Sequence, residues 1–470
     1  MSSNLYRFCC GAGAFVALIA CIAAAAGRLA SSSSPRNFSP NLLRDGSEAR
    51  LVDFTDARTI IASILGAIGA AVSSAGGIGG GGLYVPLFNL LLRFNTRTAA
   101  VLSNFMIFGG MIANMMWSAF QRDPFDDERP LIDFDAALLM QPNMLLGISL
   151  GVLCNLMFPG WLITLLLTIT LAFVTFRSFN CGFRLWKAES GSNSSDGEGK
   201  SAKYHDAEAP LLDSAEIPHR RPRAAAAAMD PPEEGAPDSE KLGCCSVGFP
   251  ALKLAGLLLV WLFFFAVQLL RGSKTSEGYF HLDECGLGYW LITGSQLPLT
   301  LLFTVWTIRE ATVSTVKNPS KWNSSRSNRA HLTLPLMALL AGILGGLLGI
   351  GGGMLISPIL LEMGMPPQVT AATSAFMVFF SSSLSVAQYW LMGRIPVEFA
   401  LWFSGICFVF SLVGLLVVQR AIQRYGRASI IVFLVTSVMG LSALLMAGFG
   451  GMDVWKQYER GDYMGFRSPC

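Results

Sequence analysis

Hydrophobic positions along this chain fall in long unbroken stretches, not in the alternation of a half-buried strand or the narrow stripe of a soluble amphipathic helix. Apolar segments lie at roughly 58–75, 83–92, 98–120, 136–157 and 161–179, and again at 332–348, 354–363, 370–391, 397–418 and 428–449. Most are long enough to cross the ~30 Å hydrocarbon core as a helix, while the second segment of each set is too short. The order long, short, long, long, long therefore occurs twice. A further apolar pair, 249–270 and 287–308, sits between the sets without a counterpart. The pattern predicts an all-α, polytopic transmembrane protein with two repeated halves. Composition agrees, with 470 residues that are 52% hydrophobic and only 14% charged and a mean hydropathy of +0.50, as expected where lipid is the main partner. The net charge of +3 adds little.

The short segments carry the most informative residues. Gly76-Gly77-Ile78-Gly79-Gly80-Gly81-Gly82-Leu83-Tyr84-Val85-Pro86 has a near copy in Gly349-Ile350-Gly351-Gly352-Gly353-Met354-Leu355-Ile356-Ser357-Pro358. The copies lie 272 positions apart, with Ile78 matching Ile350 and Pro86 matching Pro358. Further on, Ser103-Asn104-Phe105-Met106 matches Ser374-Ala375-Phe376-Met377. Each glycine in an apolar helix costs roughly 1 kcal/mol against alanine, and backbone freed from a helix in hydrocarbon needs partners in protein or water. Such breaks are tolerated where they line a cavity, and half-helix N-termini meeting there offer N–H groups and partial positive charge to an anion. The alternative for either run is close packing of helices through small residues.

The remaining segments set the organisation. Residues 1–30 read as a signal peptide or signal anchor, and 31–57 as a polar lumenal or extracellular segment containing the sequon Asn37-Phe38-Ser39. The halves are expected at 58–179 and 332–449, an extra helix pair at 249–308, and a tail at 450–470. Residues 180–248 have the composition of a disordered loop, and 309–331 form a basic link that the positive-inside rule places in the cytosol. The basic loop at Arg420, Arg424 and Arg427 belongs on that same side only if the stretch from 332 to 363 turns back on itself as a hairpin. Hairpins in both halves make the repeats inverted; parallel repeats are the alternative. This orientation predicts glycan on Asn37 and none on Asn193 or Asn323.

Candidate binding groups beside the breaks are neutral: Ser73, Ser74, Ser103, Asn104, Asn114, Ser357, Thr373, Ser374 and Gln388. The strongest set joins the backbone of Gly79, Gly80, Gly81, Gly351, Gly352 and Gly353 to Ser103, Asn104, Thr373 and Ser374. Any one hydroxyl also has a plainer use, bonding back to its own helix. Glu362 reads as interfacial, with proton coupling the less favoured role. The four histidines lie in loops or at a segment edge, and no pair of aspartates shares a span, which argues against an intramembrane hydrolase or a metal enzyme. Gly199-Lys200-Ser201 lacks the upstream glycine and strand of a phosphate-binding loop. No cofactor and no nucleic-acid partner is implied. Ten cysteines in a chain of this length do not make a disulfide framework.

The doubled Gly-Ile-Gly-Gly-Gly motif, the proline that follows it, the Ala371-Ala372-Thr373-Ser374 segment and the two-half layout resemble the TauE/SafE family of sulfite-exporter-like membrane proteins. The long loop and leader are similar to its plant and protist branch. The resemblance covers about 59–179 and 332–449 and implies a multi-pass permease for a small sulfur-containing anion, sulfite or an organosulfonate; the leader, by directing entry to the secretory pathway, points to a secretory-pathway or plasma membrane. Asn104 against Ala375, and Gly81-Gly82 against Gly353-Met354, make the two half-sites chemically unequal. An anion channel, or a non-transporting scaffold that keeps the fold, are the rival readings.

Overall fold

The structure, a computed structural model, describes residues 57–119, 121–123, 126–193, 251–271, 286–317, 328–363, 365–391, 397–425, 429–459 and 465–466. The expected leader, the polar segment after it and most of the 180–248 loop lie outside the described residues. In chain order the helices are α1 (Ala57–Ala75), α2 (Gly81–Leu90), α3 (Thr96–Ser118), α4 (Phe134–Met157), α5 (Gly160–Asn193), α6 (Ala251–Arg271), α7 (Leu287–Gly294) and α8 (Gln296–Lys317). They continue as α9 (Asn328–Leu348), α10 (Gly353–Glu362), α11 (Pro367–Leu391), α12 (Val397–Tyr425), α13 (Ser429–Leu445) and α14 (Gly451–Glu459), with one π-helical turn at Met446–Gly450 between the last two. A small antiparallel hairpin, β1 (Arg122–Asp123) with β2 (Asp126–Pro130), joins α3 to α4. Among the described residues nine helices are long and apolar enough to span a membrane.

One boundary differs from expectation. α5 continues through the first part of the predicted loop to Asn193. Leu, Arg, Lys and Ala sustain a helix well, and this extension has something to pack on, because Phe179 and Trp186 both meet the ring of Phe433 edge to face.

Burial separates an inner set of helices from an outer one. The apolar windows of α3, α4 and α11 are each 89% buried, against 22% for those of α8 and α12. Leu259, Leu301, Leu302, Leu401 and Leu444 are exposed on the outside, which in water would be a liability and in lipid is the expected face.

The inner contacts depend on small residues. α4 lies against α9 through Gly147, Gly151, Gly342 and Gly346, two Gly-xxx-Gly pairs facing one another. A Cβ added to Gly147 would lie 2.3 Å from Leu339 O, one on Gly151 2.3 Å from Ile343 O, and one on Gly342 2.3 Å from Met144 O. The register rises together along both helices, and Asn155 Nδ2 donates to Leu347 O at 2.6 Å, so α4 and α9 run parallel. α1 and α12 are also parallel, as Trp402 donates to Ser63 Oγ and, further along both helices, Ser74 Oγ donates to Ser411 O. α4 and α11 run parallel, with Gln141 bonded to Met377 O and Gln388 to Ser149. α3 and α4 are antiparallel: Arg97, at the start of α3, donates to Phe158 O at the end of α4.

The close α4–α9 contact gives a test of the packing. Gly151→Ala places a methyl against backbone that has nowhere to move, and is expected to cost about 1–3 kcal/mol. Gly160→Ala, where an added Cβ meets nothing within 4 Å, is expected to be close to neutral. Thermal unfolding of the two purified variants in detergent checks the contrast.

Candidate functional site

Each short helix begins at a glycine in the left-handed region, Gly80 with φ 73° before α2 and Gly352 with φ 71° before α10. For a residue with a Cβ that conformation costs roughly 1–2 kcal/mol, so glycine is what lets a long helix stop and a short one start at a new angle. The new angle is a reversal. Leu83 and Tyr84 pack against Gly69 and Leu87 against Gly66, so α2 returns along α1. Gly352 likewise sits beside Ala341 and Gly345 of α9. Neither α2 nor α10 has a side-chain cap at its N-terminus.

The two breaks cross in contact. A Cβ added to Gly81 would lie 2.5 Å from Ile350 Cα, and one on Gly353 would lie 3.1 Å from Ile78 O and 3.3 Å from Gly77 O. Gly79 and Gly351 both face Ile107 of α3 and Val378 of α11. Backbone therefore meets backbone at the centre, with α3 and α11 as the walls.

The predicted site residues separate into groups. Gly79, Gly80, Gly81, Gly351, Gly352 and Gly353 converge at this crossing. Ser103 and Ser374 reach it too, but each serves the opposite half: Ser103 Oγ donates to Gly349 O at 2.7 Å, and Ser374 Oγ donates to Gly77 O at 3.1 Å. Asn104 is fully buried, its Nδ2 donating to Ala100 O at 3.0 Å while its Oδ1 has no partner. Thr373 points elsewhere, its Oγ1 accepting from Asp133 N at 2.9 Å. It thereby braces the residue whose carboxylate caps the start of α4 through Asp135 N and Ala136 N. Ser357 bonds back to Gly353 O, the plainer use of a helix hydroxyl.

Two features were not anticipated. Tyr84, on the first turn of α2, is 1% exposed, and its hydroxyl lies near Ser73 and Cys407. The space beside Gly80 is filled by Ser73 and the Tyr84 ring, whereas the space beside Gly352 holds Met144. The matching position to Tyr84 in the second motif is Ile356, so aligning the two motifs marks this tyrosine as the polar exception. The other feature is an ion pair between Arg177 of α5 and Glu362 at the end of α10, with Arg177 Nε donating to Glu362 Oε1 at 2.7 Å and a second bond between Nη2 and Oε2. Nothing in the spacing of these residues, 185 positions apart, announces their contact.

Two small cavities touch the crossing. One of about 10 Å³ is bordered by Ser73, Ile78, Gly80 and Met354, and one of about 30 Å³ by Gly76, Ile78, Ser178, Ser357, Thr370 and Thr436. Spaces of that size hold about one water each. Among the described residues no cluster of His, Cys, Asp and Glu is arranged to hold a metal.

The sequence profile of the family described as Sulfite exporter TauE/SafE matches residues 11–178 and 246–446. The chain is 45% identical over 430 residues to Sulfite exporter TauE/SafE family protein 2 of Arabidopsis thaliana, covering 88% of this chain and 87% of that one. It is 40% identical over 423 residues to family protein 5 of the same plant, covering 87% of each. A shorter match, 38% over 76 residues, reaches the Probable membrane transporter protein YunE of Bacillus subtilis (strain 168), covering 15% of this chain and 28% of that one. No solved structure matches the chain. Nine spans among the described residues and matches over most of its length make this chain a multi-pass membrane protein that belongs to the Sulfite exporter TauE/SafE family.

Proposed function

We propose that the protein is a secondary transporter for a small sulfur-containing oxyanion, sulfite or an organosulfonate, bound where the two glycine breaks cross and exposed alternately to the two sides of its membrane. The observation that carries this reading is the pair of half-helix N-termini, uncapped by side chains, set against each other between the most buried helices. Together two such termini contribute about 1–2 kcal/mol toward an anion, and at most about 4 kcal/mol in the most favourable buried geometry. Stripping an ion of water costs several kcal/mol, so the termini alone are not enough. Direct N–H hydrogen bonds to the oxyanion, about 1.5–3 kcal/mol each, supply the rest, which is why backbone at Gly79–Gly81 and Gly351–Gly353 matters more than any one side chain. Tyr84, Ser73 and Asn104 give the first half-site its polar side chains, and Ser103 and Ser374 position the breaks. The family membership supports the substrate class, and the membrane reading fits a secretory-pathway or plasma membrane.

The two halves are inverted in this reading. Support comes from the helix registers: α12 runs with α1 and also with α3, since Phe94 meets Phe399 just before α3 and at the start of α12 and Gly110 lies beside Ser411 further along both, while α4, α9 and α11 run the other way, so the first helix of each half points oppositely. Cavities of about 10 and 30 Å³ are too small for sulfite, so the conformation is a closed one and transport requires the halves to shift about the crossing.

Flux of labelled sulfite into proteoliposomes is the direct test. Saturable uptake, blocked by a sulfonate and unaffected by chloride, is expected; non-saturating anion current identifies a channel, and folded protein without flux for any anion identifies a scaffold. Gly80→Leu and Gly352→Leu are each expected to abolish uptake while the protein still inserts, and normal uptake by both sinks the site assignment. Ser103→Ala and Ser374→Ala each leave a buried carbonyl without its cross-half donor, expected to lower stability by about 1–3 kcal/mol. Thermal melts that show no loss in either would refute their bridging role.

A further inference from the structure

The larger cavity has a charged pair next to its lining in the chain. Ser178 and Leu361 line it, and the residues next to them in the chain are Arg177 and Glu362, joined by two hydrogen bonds. Arg177 lies about 25 Å along α5 from Gly160 at 1.5 Å per residue, near the far edge of the hydrocarbon core, on the side from which the 194–250 loop departs. Its side chain is 40% exposed and that of Glu362 25% exposed, and Phe173 lies under the guanidinium with its ring centroid 5.9 Å from Cζ. The cavity is lined by the hydroxyl-bearing residues Ser178, Thr370, Ser357 and Thr436 together with Ile78 and Val435. Ile78 and Val435 also border the smaller cavity, whose lining includes Ser73 and Gly80.

We infer that Arg177 is the station that recruits the oxyanion on its way to the crossing by way of these two cavities, and that the Glu362 carboxylate occupies the anion's place while the protein is closed. A guanidinium presents a planar fork of donors that fits a carboxylate and a sulfur oxyanion in the same two-pronged way. An arriving sulfite therefore competes with Glu362 for one set of donors. Release of Glu362 also frees the far end of α10, the half-helix that starts at the second glycine break, so anion arrival is linked to movement at the crossing. This rests on the transport reading above.

The test is the concentration dependence of sulfite uptake in proteoliposomes for the wild type, Glu362→Gln, Arg177→Gln and the apolar pair Arg177→Met with Glu362→Leu. Removing the competing carboxylate is expected to lower KM about threefold or more with maximal rate within about twofold. Removing the guanidinium is expected to raise KM about tenfold, the effect of losing one charge-assisted hydrogen bond. A merely structural bridge predicts otherwise: Glu362→Gln would not lower KM, and the apolar pair, which replaces one packed contact by another, would restore wild-type KM. Either result overturns the inference. Wild-type protein without sulfite flux would defeat the transport reading instead, and the inference is then decided by thermal melts in sulfite. A raised Tm in Glu362→Gln but not in Arg177→Gln upholds it, and no shift in either overturns it.

Discussion

Two polypeptide backbones cross here with no side chain between them, and most of the interior follows from that contact. Gly81 lies on Ile350, and Gly353 lies on the carbonyls of Gly77 and Ile78. Such an approach demands glycine at both first helical positions, and the reversal that brings the chain there demands a left-handed residue just before each. The crossing also creates carbonyls that no helix can satisfy. Ser103 and Ser374 answer that need across the halves, one to Gly349 O and one to Gly77 O. Because those serines belong to α3 and α11, these two helices are held at the centre and are among the most buried spans.

Charge is arranged in the opposite sense from polarity. Around the breaks the side chains are neutral hydroxyls, amides, a phenol and a thiol, while the described ion pairs, Arg177 with Glu362 and Lys253 with Asp135, lie at partly exposed positions. A permanent cation at the crossing would bind an oxyanion too firmly to release it, whereas backbone dipoles are worth less individually. The asymmetry between half-sites is a second such adjustment. Ser73, Tyr84 and Cys407 surround the first break, where Met144 and Ile356 occupy the matching region of the second.

Most of this architecture was legible in the chain because hydrocarbon imposes a length and a polarity on anything that crosses it. The spans, the two short helices and their reversal follow from apolar run length, glycine position and loop charge. Less legible was what each glycine is for. Gly80 and Gly352 are needed for a left-handed turn, while Gly147, Gly151, Gly342 and Gly346 are needed because another helix lies on them, and the same letter serves both needs. The serines beside the breaks were recognisable, but their bonding to the opposite half was not, since it depends on how two distant segments meet. Thr373 shows the same limit, its hydroxyl turned to Asp133. The continuation of α5 to Asn193 depended on Phe433, more than two hundred residues away, to pack its aromatic side chains.

The crossing also bears on how the proposed carrier would be held closed. In the present conformation Gly353, the first residue of α10, lies against the carbonyls of Gly77 and Ile78, which brings negative partial charge of one half close to the positive end of a helix in the other. For the proposed cycle this means that an oxyanion does not fill an idle site; it replaces one set of favourable contacts by another. The exchange is close to balanced when the anion's hydrogen bonds roughly equal those of the carbonyls it displaces together with its own lost hydration. A near balance is what alternation requires, because a site that held either state by many kcal/mol would not turn over. In the proposed cycle the glycines serve twice, once so that the halves can touch when the site is empty and once so that an anion can reach the same N–H groups when they part.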